Sequence, residues 1–367
     1  MDLLSKKMKF YMPVKVYEGR DCVREHAPEI AACGKHPLIV TGKRSAFANG
    51  SFEDLTSVLK AENIDYLVFS DIEENPSTDT VFDAKEKFSS ENIDLVIGIG
   101  GGSALDAAKA IALVLRHPEA DLSYLYDAAE DPSALPLICI PTTCGTGSEV
   151  TGVSVLTRHD KKTKISMVHK VFPKLSFIDG KYLESASMDL IVNTSMDALS
   201  HLLESVLNAK ADAYVKMIAK EGLRAWAETK DVLSGERQAR KEDFQMLMHS
   251  SALAGMAIAQ SGTSLPHALS YVLTYDLGIP HGRAVGYFLP GFIDEAPAEE
   301  RDELIRLSGF KDPAGFKDFT VKLFGKAEIP EAELIRTYET VRSNEAKMRS
   351  ASFEVDDEAL HRIVFGR

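Results

Sequence analysis

Leu95-Val-Ile-Gly-Ile-Gly-Gly-Gly-Ser103-Ala-Leu-Asp106-Ala-Ala-Lys109 decides how this chain folds. Leu95–Ile99 is a short apolar run that reads as a strand buried on both faces, and Ala104–Leu115 reads as the helix after it. Between them Gly100, Gly101, Gly102 and Ser103 form a glycine loop. Adjacent glycines let a ligand approach the backbone, and a helix start offers N–H groups and partial positive charge. A pyrophosphate is the natural occupant. The run is not a G-x-G-x-x-G fingerprint, because Ser103 stands where the last glycine belongs. A tight turn with Ser103 and Asp106 as a capping box is the competing reading. Three successive glycines exceed what a turn needs, so phosphate binding is favoured, with Asp106 counted among the cofactor candidates.

Around this unit the first half alternates strands and helices. Lys9–Gly19 reads as a strand near an edge, and Val23–Ala32 as a helix. Pro37–Thr41, Tyr66–Phe69 and Leu137–Ile140 read as further strands, with helices over Phe52–Glu62 and Thr78–Phe88. Short apolar strands separated by helices imply a parallel sheet covered on both faces, with ligands beyond the carboxyl ends of the strands. Three more stretches belong at that edge. Thr142, Thr143, Thr146 and Ser148 follow strand Leu137–Ile140 with hydroxyls suited to a cofactor, and Asn75 follows Tyr66–Phe69. Gly42, Lys43, Arg44 and Ser45 follow Pro37–Thr41. An acidic residue past such a strand repels a 2′-phosphate, whereas a nearby Arg accommodates it. The basic turn here points to NADP(H) over NAD(H). A solvated turn with no ligand is the bland alternative.

From about Lys181 helical patterns dominate, over Asp189–Leu207, Ala213–Leu233, Lys241–Ala259 and Pro266–Thr274. The boundary is placed near Asp179–Leu183, giving domains 1–181 and 182–367. In Asn193-Thr-Ser-Met-Asp197-Ala-Leu-Ser-His201-Leu-Leu-Glu-Ser205, Asn193, Thr194 or Ser195 is available as N-cap. Asp197 and His201 leave one helix face a turn apart and can share a divalent cation. His267 and His281 follow beside prolines. One carboxylate with three imidazoles suits a transition metal or zinc, although each piece alone is more often structural.

The remaining bounds are compositional. A 367-residue chain with 45% hydrophobic residues has ample core for two domains. Its net charge of −13 argues against nucleic acid and anionic membranes as partners. Lys161-Lys162-Thr163-Lys164 remains a local basic cluster for a phosphate-bearing ligand. Cys22, Cys33, Cys139 and Cys144 form no C-x2-C pair and read as buried thiols. No signal-peptide core or membrane-length apolar run is present, so a cytoplasmic protein is expected.

Together these motifs resemble the iron-containing (group III) alcohol dehydrogenase family, through Gly100-Gly-Gly-Ser103, Pro141-Thr-Thr-x-Gly-Thr-Gly-Ser148, Met196-Asp-Ala-Leu-x-His201 and Pro280-His-Gly282. The resemblance implies a Rossmann-like α/β N-terminal domain, an all-α C-terminal domain, a cleft active site and a homodimer. It implies Asp197, His201, His267 and His281 as metal ligands, with Fe2+ favoured and Zn2+ open. It implies dinucleotide contacts from Gly101, Gly102, Ser103, Thr142, Thr143 and Lys164. NAD-preferring relatives carry Asp where this chain has Gly42. Several relatives also carry a His four residues after the ligand matching His267, where this chain has Tyr271. Either Tyr271 relays a proton, or water and a ribose hydroxyl do, or Tyr271 merely packs. The activity implied is hydride transfer between NAD(P)(H) and a small alcohol or aldehyde. A carbon–oxygen lyase of the dehydroquinate synthase type shares the two-domain plan, but it needs several cations near the metal and Arg283 alone is thin support. A non-catalytic metal- and nucleotide-binding regulator is the third alternative.

Overall fold

The apolar runs of the first half pair as one parallel sheet. Its strands are β1 (Lys15–Glu18), β2 (Pro37–Gly42), β3 (Leu67–Ile72), β4 (Leu95–Gly100), β5 (Leu137–Pro141) and β8 (Leu175–Ile178). They lie in the order β1-β8-β5-β4-β2-β3, every neighbouring pair parallel. An antiparallel pair, β6 (Val155–Arg158) and β7 (Thr163–Ser166), stands apart from it. The computed structural model describes residues 8–325 and 328–366.

Alternation along β4 explains its central place. Leu95, Ile97 and Ile99 join Ile39, Ile138 and Ile140 in one core, while Val96 joins Leu38, Val40 and Ile111 in the other. Each fully buried aliphatic side chain contributes about 1.5–3 kcal/mol. The helices of this unit are α1 (Cys22–Glu25), α2 (Ala27–Ala31), α3 (Ser45–Ala48), α4 (Ser51–Ala61), α5 (Thr78–Phe88) and α6 (Gly102–Arg116). A Cβ on Gly98 would stand 2.8 Å from the Ala108 Cβ, so the bare glycine lets α6 lie close on β4.

The single helix expected over Val23–Ala32 is instead α1 and α2, broken at His26 with φ −112° and ψ 34°. Pro28, which has no N–H to donate, sits in the first turn of α2. The expected strand Lys9–Gly19 shrinks to β1. Strands β6, β7 and β8 were not anticipated.

By contacts the chain forms two units. One holds Met12–Thr143 with Gly147–Ala186; the other holds Cys144–Thr146, the chain from Ser187, and the described residues up to Tyr11. In this second unit the main helices are α7 (Met188–Val206), α8 (Ala213–Ala227), α9 (Lys230–Leu233), α10 (Lys241–Ser261), α11 (Leu265–Asp276) and α12 (His281–Asp294). Further helices continue to Phe365. Helix α7 starts earlier than the capping candidates suggested. Its N-cap is Ser187, whose side chain accepts from the Leu190 N–H, so Asn193, Thr194 and Ser195 lie inside the helix. The helix expected over Ala213–Leu233 divides into α8 and α9, where the Thr229 hydroxyl bonds the Trp226 carbonyl at 2.7 Å. Trp226, the only tryptophan of the chain, is fully buried and donates its indole N–H to the Ser195 carbonyl at 3.0 Å. Lys9 and Tyr11 bind this unit through Asp212 and Gln260. Among the described residues no helix is long and apolar enough to cross a membrane.

Candidate metal centre and dinucleotide loops

Within the sheet unit, register puts the two loops side by side. Gly100 of β4 pairs with Pro141 of β5, and the Thr142 N–H donates to the Gly100 carbonyl at 2.9 Å. Gly100 has φ +150°, a conformation that side chains rarely adopt. A Cβ on Gly101 would lie 3.0 Å from the Thr143 Cγ2, so any side chain here would have to push Thr143 aside. Gly101 is also the N-cap of α6, with no side chain capping the helix start. The capping box weighed for Ser103 and Asp106 is therefore absent. The Ser103 hydroxyl instead accepts from the Asn75 N–H at 3.1 Å. Asn75, at φ +59°, receives the Lys164 ammonium on its Oδ1 at 2.6 Å and the Thr157 hydroxyl on its carbonyl at 2.9 Å. Asn75, Ser103 and Lys164, far apart in sequence, are thus linked.

Asp106 and Ser148 point another way. Fully buried Lys109 donates to Ser148 Oγ at 2.6 Å, Thr151 Oγ1 at 3.2 Å and the Val153 carbonyl at 2.7 Å. Ser148 in turn donates to Asp106 Oδ1 at 2.6 Å, and the Val155 N–H reaches Asp106 Oδ2 at 2.9 Å. Burial lowers the Lys109 pKa and raises that of Asp106, each opposed by the partner's charge. This brace clamps residues 148–155 onto α6. The sequence carried a signal for it in the Asp106-x-x-Lys109 spacing.

The basic turn is open to solvent, with Lys43, Arg44 and Ser45 exposed. A carboxylate does stand nearby, on the adjacent strand: Asp71 of β3 lies 3.7 Å from the Lys43 ammonium. Reading strand by strand could not find it, because the pairing of β2 with β3 brings it there.

In the helical unit one carboxylate oxygen gathers three imidazoles. Asp197 Oδ1 lies 3.3 Å from His267 Nε2, 3.7 Å from His281 Nε2 and 3.8 Å from His201 Nε2. The His201 and His267 rings stack at 4.3 Å, and His267 meets His281 edge-on at 5.4 Å. Donors about 2.1 Å from one tetrahedral ion stand about 3.4 Å from each other. Asp197, His267 and His281 each offer a ligand atom within 4.8 Å of the others. Those three donors therefore fit a divalent ion; His201 lies outside that 4.8 Å group and joins it through Asp197 Oδ1 at 3.8 Å. The side chains of Asp197, His201 and His267 are at most 7% exposed, whereas that of His281 is 34% exposed. Solvent reaches the cluster on the His281 side.

Local structure fixes each donor. Asp197 and His201 are one turn apart on α7, and His267 is in the first turn of α11 behind Pro266. His281 opens α12 after Pro280. A Cβ on Gly282 would fall 1.7 Å from the Asn193 carbonyl oxygen, so only glycine lets α12 start against α7. The Arg283 N–H donates to Asn193 Oδ1 at 2.9 Å, and the Arg283 side chain pairs with Asp189. Gly145 follows the same logic, with its Cβ position 2.8 Å from the Thr194 carbonyl, and its own carbonyl lies 3.4 Å from His201 Nδ1.

Electrostatics match the geometry. Burial raises the Asp197 pKa, but His201, His281 and His267 outweigh it and hold the carboxyl well below the usual range. Burial lowers His201. For His267 burial is overcome by Glu204 and Asp197, which push the imidazole up to about 9. Glu204, fully buried, went unread in the sequence. Tyr271, one turn past His267, is half exposed; burial of its phenol group, then Glu204 and Asp197, raise its pKa.

Comparison with known proteins extends over both units. Residues 13–180 match the family described as iron-containing alcohol dehydrogenase, and residues 191–365 match the C-terminal family of the Fe-containing alcohol dehydrogenases. The crystal structure of an iron-containing alcohol dehydrogenase from Thermotoga maritima superposes with TM-score 0.88 and 35% identity, over 98% of this chain and 99% of that one. Aldehyde-alcohol dehydrogenase 2 of Entamoeba histolytica is 30% identical over 77% of this chain, which spans only 34% of that longer protein. An NADPH-dependent butanol dehydrogenase of Clostridium saccharobutylicum is 28% identical over 77% of this chain and 72% of its own length.

Proposed function

This chain belongs to the iron-containing alcohol dehydrogenase family, and on that premise we propose that it moves a hydride between NADP(H) and a short aliphatic alcohol or aldehyde, diols included. The observation that carries the reading is the convergence of three imidazole Nε2 atoms on Asp197 Oδ1 at 3.3–3.8 Å. Asp197, His201, His267 and His281 would hold one divalent ion, iron before zinc. When bound, that ion supplies Lewis acidity toward the substrate oxygen.

The chain's own residues supply the rest. Asp197 stays ionised and would give the ion one negative charge, while the imidazoles would serve as neutral donors, His267 releasing its Nε2 proton as the ion binds. Gly100, Gly101, Gly102 and Ser103 receive the pyrophosphate at the start of α6. Thr142, Thr143 and Thr146 offer hydroxyls, and Asn75 with Lys164 holds Ser103 in place. Asp106 and Ser148 act through the Lys109 brace, keeping the second loop beside the first. Lys43, Arg44 and Ser45, next to side-chain-free Gly42, take the 2′-phosphate. Tyr271, one turn past His267 on α11, is placed to pass a proton to the product oxygen during reduction.

We take residues 1–181 as the dinucleotide-binding region and 182–367 as the catalytic one. The family reading brings with it a homodimer. The four buried free cysteines suit a reducing, cytoplasmic setting. The deciding experiment strips the protein of metal, reloads it with Fe2+ or Zn2+, and follows NADPH and NADH oxidation across a panel of short aldehydes. Turnover should need both metal and aldehyde, with the higher kcat/KM for NADPH. A metal-loaded protein that consumes neither cofactor with any aldehyde ends this reading.

A further inference from the structure

Glu204 lies behind the imidazole of His267, on the side away from Asp197. Its side chain is completely buried, yet the hydride-transfer reading gives it no role. Oε1 lies 2.5 Å from His267 Nδ1 and accepts the Ser200 hydroxyl at 2.8 Å. Oε2 accepts the Ser264 N–H at 2.6 Å, and Ser264 is the N-cap of α11. One carboxylate on α7 thus holds both the start of α11 and the ring three residues further on.

The chemistry of these contacts is directional. An ionised carboxylate only accepts hydrogen bonds, so the nitrogen facing Glu204 must carry a hydrogen. With Nδ1 protonated, the neutral ring has its lone pair on Nε2, the atom that faces Asp197 at 3.3 Å. Glu204 cannot ligate the same ion, because it meets the opposite nitrogen of the ring. The far side of the arrangement is closed as well. Ser264 Oγ lies 2.9 Å from Ser350 Oγ, while Ser350 and Ser352 pair through their backbones with Ala209 and Leu207 just beyond α7.

We propose that Glu204 is a positioning residue that fixes the Nδ1–H tautomer and ring orientation of His267, and so sets the affinity of the four-residue cluster for its ion. The inference rests on the metal reading of Asp197, His201, His267 and His281. Such carboxylate–histidine partners are typically worth 10–100-fold in metal affinity. The isosteric variant Glu204→Gln discriminates well. Its single oxygen can serve the Ser264 N–H, but its NH2 then faces Nδ1 and favours the tautomer with hydrogen on Nε2.

The test uses the full-length protein and zinc, measured by competition with a chromophoric chelator after metal removal. Glu204→Gln should bind zinc about 10–100-fold more weakly, with NADPH affinity unchanged. In parallel, long-range proton–nitrogen correlation on the zinc-loaded wild type, labelled at histidine nitrogens and assigned against His267→Ala, should show hydrogen on His267 Nδ1. Equal zinc affinity in the variant overturns the proposal, and so does a wild-type His267 with hydrogen on Nε2. If Glu204→Gln does not fold, the zinc affinity of Glu204→Asp, whose shorter carboxylate draws back from Nδ1, decides in its place, with equal affinity overturning the proposal. A wild type that binds no zinc or iron sinks the metal reading and this proposal together, whereas a tight wild-type site indifferent to Glu204 sinks only the latter.

Discussion

At the carboxyl ends of β4 and β5 the groups on offer are backbone N–H and hydroxyl, arranged around glycines; on α7, α11 and α12 they are ionisable side chains crowded around one carboxylate oxygen. Shape is therefore the limiting quantity in the sheet unit. Gly100 has an unusual φ, a side chain on Gly101 would press on Thr143, and the buried Lys109 charge is withdrawn into the brace with Asp106. Charge is the limiting quantity in the helical unit, where Asp197, His201, His267 and Glu204 are all buried and contact one another. A substitution should accordingly act through sterics or support in the first region and through a missing donor in the second. Each effect should stay in its own unit.

The largest effect expected is at the metal cluster. His267→Ala removes a donor and leaves Glu204 and Asp197 facing a void, so metal content should collapse. Turnover should fall by at least about three orders of magnitude, since Lewis-acid stabilisation is worth several kcal/mol. Nucleotide binding, measured by NADPH fluorescence, should persist. Loss of NADPH binding in step with metal would break the separation of the two regions.

Next comes the brace. Lys109→Met leaves the Asp106 carboxylate buried without its cation, a change that typically costs about 3–5 kcal/mol. Chemical denaturation should show a loss of that order, with the metal affinity of the folded protein unaltered. A variant as stable as wild type would mean that the brace carries no strain-bearing role.

Gly101→Val tests shape alone. Its branched side chain meets Thr143 and occupies the space over the α6 start, so NADPH affinity should fall at least about tenfold, or about 1.4 kcal/mol, with metal content intact. Normal NADPH affinity in the folded variant would leave Gly101 as a turn residue only.

The smallest effects concern cofactor choice. Gly42→Asp adds a repulsive carboxylate at the basic turn and should shift the NADPH/NADH ratio of kcat/KM toward NADH by about tenfold, near 1.4 kcal/mol. Asp71→Asn should do the reverse by only about two- to threefold, because it frees Lys43 from an exposed pair that is worth under about 1 kcal/mol. A wild type that already prefers NADH would show that this turn does not select the phosphate.

Local pattern made much of this architecture legible. Strands β2, β4 and β5 are continuous apolar runs, and α5 falls on Thr78–Phe88 as its periodicity predicts. What escaped was decided at a distance. Strand β8 is four residues, Leu-Ser-Phe-Ile, whose burial comes from β1 and β5 on either side. The β6–β7 pair hid inside the basic cluster, since its turn uses Lys162 in a left-handed conformation at φ 50° in place of a glycine. The same holds for the metal cluster. Asp197 and His201 declare themselves by spacing along one helix, whereas Glu204 acquires a role only once α11 delivers His267 to it. Asp71 likewise matters only through the strand order.

Trp226 gives the comparison a built-in reporter. As the chain's single indole it sits wholly within the helical unit, sealed from water and tied to the backbone of the helix that carries Asp197 and His201. Its emission therefore reports directly on packing around α7 and not on the parallel sheet. It shifts to the red only when the bundle around α7 admits solvent. Tracking tryptophan emission alongside far-ultraviolet circular dichroism during denaturation separates the cooperativity of the two halves without adding a label to either.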